Sequence, residues 1–442
     1  MISLGEGLFL LVYNLFVLPV LLAGAHLLAV VDGKFRRGVR GRYTCLRRLK
    51  AALAELSESR PRFLLHAASM GEFEHVRPFL RRLKQAVPDC WVAVTFFSPS
   101  GFENVRPDRE VDFTMYLPFD WPWTMRRLFA LLRPRALFIS RYDVWPNQIW
   151  LAYRSGVPAF LLNASLTPTR FHRALLRPFL RPLYHRFATI FAASDVEAAA
   201  FADMVPGARL VVSGDTKFEQ VWWRREQAQK QPILPAALHR QRPVLVCGSI
   251  WPEDAVHLLP ALGRLWEEVP DLLVVLCPHE PEAEQVRRLL AAFPGREAVV
   301  FSRLDPASQP DVLVIDRVGI LPLLYATARV AYVGGGFKQG VHNILEPAAY
   351  GIPVLFGPRH RNAPEAEWLK VAGAGFVVTG SADLHQSLRR LFNDPTFRDR
   401  AGRQAEQVVK AHLGATAKIL CAVLDRLGRQ HPAAAGAQRR SC

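Results

Sequence analysis

From residue 62 onward, short apolar runs alternate with stretches of helical periodicity, and this alternation restricts the fold more than any other feature. RFLLH (62–66), WVAVTFF (91–97), ALFIS (136–140), VPAFLLN (157–163), TIFAAS (189–194) and LVVSG (210–214) read as buried strands. Between them, stretches such as FEHVRPFLRRLK place Val76, Phe79, Leu80 and Leu83 on one helical face. Over 219–243 the pattern gives way to a polar, proline-bearing stretch, then resumes with PVLVCG (243–248), DLLVVLCP (271–278), DVLVID (311–316), RVAYVGGG (329–336) and IPVLFG (352–357). Strand–helix alternation of this kind builds parallel α/β sheets. Two such halves predict two Rossmann-like domains facing a cleft, with ligands at the carboxyl ends of the strands.

A different signal occupies the amino terminus. Residues 7–31 carry no formal charge, and as a helix they would extend about 37 Å, enough for a hydrocarbon core of about 30 Å. Asn14, Pro19 and His26 interrupt the run and leave open a kinked span or a helix lying in the interface. No basic region precedes it, which argues against a cleaved signal peptide. Eight cations follow instead, Lys34, Arg36, Arg37, Arg40, Arg42, Arg47, Arg48 and Lys50, with no acid between Gly33 and Leu49. The positive-inside rule then places the rest of the chain in the cytoplasm, its basic cluster against anionic headgroups.

The expected organisation is therefore a membrane anchor (1–33), an amino-terminal acceptor domain (34–218), a linker (219–243) and a carboxyl-terminal nucleotide-sugar domain (244–428). The last helix of that domain is a candidate to pack back on the first domain, and 429–442 reads as a basic tail. The chain carries 56 Lys and Arg against 39 Asp and Glu, a formal net charge of +17, which calls for an anionic partner. No nucleic-acid-binding motif is present and the basic residues gather beside the anchor, so the partner is read as a membrane surface, with no nucleic acid. A second basic stretch, 170–186, holds Arg173 and Arg177. With Arg36, Arg37 and Arg40 they are the candidate lipid contacts.

Two loops could carry chemistry. HAASMGE (66–72) follows the first strand and opens a helix, with Ser69, Gly71 and Glu72; Glu72 could take a proton from a hydroxyl or merely complement the helix dipole. GGGFKQGVHNILEP (334–347) puts Gly335 and Gly336 after a strand and expects a helix from about Asn343, with His342 in the same corner. Amide groups there suit a phosphate or carboxylate, and Glu346 one turn in could reach ribose hydroxyls. Asn343 and Glu346 also have the spacing of a capping box. His342 has no second histidine at ligand spacing and there is no C-x-x-C pair, so no metal is expected. A phosphate loop of G-x-x-x-x-G-K-[ST] type, a G-x-S-x-G elbow and a dinucleotide fingerprint are all missing, and no cofactor is expected.

These motifs, with SPSG (98–101), YLPFD (116–120), DVWPN (143–147), GDTKFE (214–219), GSIWPED (248–254), PHEP (278–281) and DRVG (316–319), follow one another in an order that resembles the 3-deoxy-D-manno-octulosonic acid (Kdo) transferases of lipopolysaccharide assembly. The likeness runs over nearly the whole chain. It implies an inner-membrane, cytoplasmic-face enzyme of the metal-independent GT-B type that transfers Kdo from CMP-Kdo to a lipid A precursor, by one inverting displacement. Glu72 matches the family's general base. Lys217, Ser249, His279, Gly335, Gly336, His342, Asn343 and Glu346 match donor-binding positions. Ser69, Gly71, Ser98, Ser100, Gly101, Asp143 and Asn147 fall where acceptor contacts are expected. The chain departs from the family pattern at Arg141, where a glutamate is usual, at Ser165 for an arginine and at Ile320 for a glutamate. A UDP-sugar transferase acting on a lipid, or a non-catalytic membrane-binding relative, remains the alternative.

Overall fold

The computed structural model describes residues 4–141, 143–166, 177, 180–230 and 232–430. Arg173, most of the basic stretch 170–179, Tyr142 and nearly all of the basic tail lie outside the described residues. The chain divides into two compact units, residues 1–220 with 413–442 and residues 221–412.

The first unit is a seven-stranded parallel sheet in the order β3-β2-β1-β4-β5-β6-β7. Its strands are β1 (Arg62–Ala67), β2 (Trp91–Phe96), β3 (Phe113–Tyr116), β4 (Ala136–Ser140), β5 (Ala159–Ala164), β6 (Phe187–Ala192) and β7 (Leu210–Val212). Every residue of β1, β2, β4 and β5 is buried, as a parallel sheet covered on both faces requires. One face packs Leu64, Ala93, Leu137 and Leu161 against Leu49, Leu128 and Ile149. The other packs Phe63, Val92 and Phe138 against Phe79, Leu83 and the Ala415–Gln430 helix, whose Ile419, Val423 and Leu427 are buried there. The last helix thus belongs to the first unit's core, although 202 residues lie between it and β7.

The second unit repeats the plan with β8 (Val244–Ile250), β9 (Leu273–Pro278), β10 (Ala298–Val300), β11 (Val312–Val314), β12 (Val330–Val333), β13 (Val354–Phe356) and β14 (Gly375–Val377), ordered β10-β11-β9-β8-β12-β13-β14. The strand order reverses direction between β1 and β4 in one sheet and between β8 and β12 in the other. Ligand crevices open at such switch points. The stretch read as a linker is helical over Lys217–Lys230. β3, β10 and β14 had no counterpart in the sequence reading; they are three or four residues long, too short to show a period.

The amino-terminal run forms helices Leu4–Val12 and Leu18–Val31, joined by a π-helical turn at Tyr13–Val17. Pro19 follows directly on the π-helical turn, and its missing N–H removes one rung from an otherwise continuous helical run. Polar groups dock this helix on the first unit. Tyr13 donates to Asp120 Oδ2 at 3.0 Å, the Asn14 and Asn147 amides exchange two hydrogen bonds, and Arg186 clasps Glu6. Its remaining surface is apolar and open: Val20 is 71% and Leu27 70% exposed. The run Glu6–Val31 is long and apolar enough to cross a membrane.

Candidate active site

At the carboxyl end of β1, Ser69 is the N-cap of the Met70–Ala86 helix and its Oγ accepts from the Glu72 amide at 3.4 Å. The Glu72 carboxylate turns back and accepts from the Ala68 N–H at 2.7 Å. Helix capping and a place in the crevice coincide in this one residue. Glu72 is only 9% exposed, and that burial pushes its pKa up; the nearby negative charge of Asp143 adds to the shift, while the Ala68 N–H, His66 and Arg141 oppose it. The helix-terminus argument alone would have favoured the ionised form, but desolvation outweighs it.

β4 ends beside β1 and delivers the neighbours. Ser140 Oγ donates to the Glu72 carbonyl at 3.1 Å. Asp143 Oδ2 lies 2.9 Å from Nε2 of the fully buried His66, whose Nδ1 contacts Thr95 Oγ1 at 3.0 Å. Burial would raise Asp143, yet the hydrogen bond and charge of His66 with the charge of Arg42 hold it below the usual carboxylate range. Arg141, in the left-handed region at φ 59°, donates to His75 Nδ1 at 2.8 Å and Asp215 Oδ2 at 2.9 Å. The charge reversal at position 141 is thereby neutralised locally. Ser165, the second departure, donates to Glu197 at 2.8 Å, and Ile320, the third, is the N-cap of a short helix, Leu321–Leu324.

Other expected residues are set by structure. Ser98 caps the Pro99–Asn104 helix and contacts Ser100 Oγ at 3.0 Å. Gly101 is forced by space, since a Cβ there would stand 2.2 Å from the Phe96 ring. At Gly71 a Cβ would meet only Ser69 Oγ, at 4.0 Å, so no crowding requires glycine. Asn147 is buried and spends its side chain on Asp120 and Asn14. Lys217, grouped with the donor residues by sequence, lies in the first unit with its N–H on Asp215 Oδ1 at 3.0 Å. Of the lipid candidates, Arg36 donates to the Ala29 and Val30 carbonyls at the end of the Leu18–Val31 helix, Arg37 pairs with Glu103 at 2.6 Å, Arg40 is exposed, and Arg177 donates to the Asp203 carbonyl.

The second unit builds a corner at its own switch point. Ser249, at the end of β8, adopts φ 53°, a conformation non-glycine residues rarely hold. Asp254, fully buried, accepts from the Gly335 N–H at 2.8 Å, the Trp251 N–H at 2.9 Å and Tyr332 Oη at 2.8 Å, tying the glycine turn to β8. Trp251 Nε1 donates to His342 Nε2 at 2.8 Å, and the rings of Trp251, His279 and His342 stack, with His279 4.4 Å and 4.3 Å from the other two. Burial, then the neighbouring His279, push His342 down to about 4, so it is neutral and accepts the indole N–H. Lys338 Nζ rests 3.9 Å from the indole centroid. Glu346 accepts from Arg224 at 2.8 Å, while Asn343 Oδ1 accepts from the Leu345 N–H at 3.2 Å. The helix begun there is short, Leu345–Ala349, and Asn343 and Glu346 form no reciprocal box.

Sequence reasoning did not single out His66, His75, Asp215, Trp251, Asp254 or Arg224. The first five sit inside or beside the quoted motifs, and their strand-end positions were the available signal; Arg224 had none.

The model of the 3-deoxy-D-manno-octulosonic-acid transferase (kdotransferase) domain matches residues 40–220. The 3-deoxy-D-manno-octulosonic acid transferase of Haemophilus influenzae is 27% identical over 413 residues, covering 91% of this chain and 94% of its own. That of Aquifex aeolicus is 29% identical over 333 residues, covering 74% and 85%. Over most of its length the chain is therefore similar to Kdo transferases, which are glycosyltransferases. Among solved structures, a UDP-GlcNAc 2-epimerase from Neisseria meningitidis superposes with a TM-score of 0.61 at 14% identity, over 82% of this chain and all of its own. A putative UDP-N-acetylglucosamine 2-epimerase from Listeria monocytogenes gives 0.60 at 13%, over 84% and 98%. These likenesses place the chain in the GT-B fold class.

Proposed function

We propose that this chain is a Kdo transferase that uses CMP-Kdo as donor and a lipid A precursor as acceptor, with Glu72 as general base, on the cytoplasmic face of an inner membrane that the amino-terminal helix anchors. The observation that carries the base assignment is the burial of Glu72 at the β1–β4 switch point, which raises its proton affinity while the Ala68 N–H fixes its direction. In the displacement, the acceptor hydroxyl oxygen bonds to the anomeric carbon of Kdo and its proton passes to Glu72. The bond from that carbon to the phosphate oxygen breaks, and CMP leaves with the electron pair. The Gly335 N–H is spent on Asp254, so the Gly336 N–H and a cation such as Lys338 would stabilise the charge on the leaving phosphate. Ser249, His279, His342, Asn343 and Glu346 form the remaining donor wall. Glu346 is held by Arg224, so a ribose hydroxyl would join or replace that pair.

Turnover with CMP-Kdo and a lipid A precursor, products read by mass, tests the reading. Product from CMP-Kdo and none from UDP-sugars is expected. Transfer only from a UDP-sugar overturns the donor assignment. Glu72→Gln should lower kcat by about 100-fold or more with lipid binding retained; unchanged turnover removes Glu72 from the base role.

A further inference from the structure

Between the anchor helix and the body of the first unit lies a cavity of about 690 Å³, within the range of ligand sites in general. Leu21, Gly24 and Leu28 of the anchor helix form one wall, and Val39, Phe119 and Trp145 form much of the other. Its lining is overwhelmingly apolar, and it passes along a helix whose outer surface is itself apolar and exposed. The cavity is therefore continuous with whatever surrounds that helix, which on the reading above is the bilayer.

Arg42 is among the residues that line it. Its Nη2 donates to the Phe97 carbonyl at 2.6 Å and its guanidinium lies over the Phe97 ring, 4.7 Å from the centroid. Among the described residues no carboxylate stands within ion-pair distance of it, and burial lowers its pKa. A cation held in apolar surroundings without a counter-charge is costly, and an anionic group arriving there would relieve it. Arg42 feels the charge of Asp143, and so does Glu72. Cation, apolar cavity and base thus share one neighbourhood.

We infer that the cavity takes an acyl chain of the acceptor glycolipid, with Arg42 on its phosphate, so that the anchor helix is part of the acceptor site as well as a tether. This rests on the proposed lipid A precursor acceptor. An amphiphile that reaches from bilayer to crevice, carrying an acyl chain, an anionic group and a reacting hydroxyl, matches a site that brings an apolar wall and an arginine into the neighbourhood of Glu72. A bulk phospholipid would fill the cavity without bringing a hydroxyl to the base.

Gly24 offers a clean probe, since a Cβ there meets nothing within 4 Å and a larger side chain extends into the cavity. The full chain, wild type and Gly24→Trp, is assayed in mixed micelles with the acylated phosphorylated disaccharide and with its fully deacylated form. Val30→Trp, on the same helix but exposed and outside the cavity, is the control. The preference for the acylated acceptor, as a ratio of kcat/KM, should fall by about tenfold or more in Gly24→Trp and hold in Val30→Trp. An unchanged ratio in Gly24→Trp overturns the inference. Photo-crosslinking of wild-type protein in phosphatidylglycerol vesicles, with the disaccharide carrying a diazirine-bearing acyl chain and no donor, reads occupancy without turnover. Label on the peptide spanning Leu21–Leu28 is expected. Its absence, or its loss to a modest excess of phospholipid, overturns the inference. Labelled protein that forms no Kdo product would instead sink the functional reading and leave the acyl site standing.

Discussion

His66 Nε2 lies 2.9 Å from Asp143 Oδ2, and this bond holds a negative charge beside Glu72. The histidine comes from β1 and the aspartate follows β4, so the contact exists only because the two strands pair in parallel, with His66 opposite Ile139. Burial raises Glu72 first, and the Asp143 charge raises it further. A general base works when ionised, so the acid limb of kcat/KM should report Glu72. Asp143→Asn removes the Coulombic part and leaves the burial part. The acid limb should move to lower pH without reaching the range of an exposed glutamate. A pH–rate profile of both proteins checks this, and an unmoved limb would uncouple the two carboxylates.

Arg141 and Asp215 form the complementary ion pair, 2.9 Å apart and largely removed from solvent. Burial would raise Asp215, but Arg141, Lys217 and His75 hold it below its usual value. A carboxylate with a depressed folded-state pKa contributes stability above its unfolded pKa, and that contribution is lost as pH falls through the folded value. Arg141→Met should therefore destabilise the fold at pH 7 by about 3 kcal/mol, the size seen when a buried pair loses one partner. The difference from wild type should narrow as Asp215 takes up its proton in acid. Urea unfolding at pH 7 and pH 3.5 measures both; an equal difference at the two values would contradict the pairing.

The doubled parallel α/β architecture and the Glu72 and glycine-turn corners were legible because strand-end positions recur with sequence period. Three things were not. β3, β10 and β14 are too short for periodicity. Lys217 was grouped with the donor positions by its motif, and only the fold shows that it lies in the first unit. The pairing of Arg141 with Asp215 joins residues 74 positions apart, a relation that no local pattern contains.

Gly335 is fixed twice over. Its φ is 91°, and a Cβ would lie 2.4 Å from the Gly340 carbonyl oxygen. Gly335→Ala must therefore shift the turn that meets Asp254 and His342. Both stability and donor affinity should suffer, the first by about 1–3 kcal/mol. Thermal unfolding and the KM for the donor give the two readings, and the acceptor KM should hold within about twofold. A full-strength donor KM in the variant would show that this turn does not shape the donor site.

Asp120 is the most deeply buried carboxyl of the first unit, accepting from Tyr13 and from the Asn147 and Gln148 amides. Burial pushes it up to about 7, against those three hydrogen bonds, which pull it down. A group whose folded-state pKa is raised contributes stability that is complete below the unfolded value and is lost as pH rises through the folded one. Stability of the first unit should thus decline between about pH 5 and pH 8, as a desolvated anion replaces the neutral acid. Asp120→Asn keeps the shape without the ionisation. Its absolute stability will be lower, because an amide hydrogen then faces a backbone N–H, but this pH slope should vanish. Because Tyr13 ties the amino-terminal helical run to Asp120, protease access to residues 13–31 should rise over the same interval in wild type alone. Urea midpoints and limited proteolysis across pH 5–8.5 test the pair of expectations, and an equal slope in both proteins would assign the titration elsewhere.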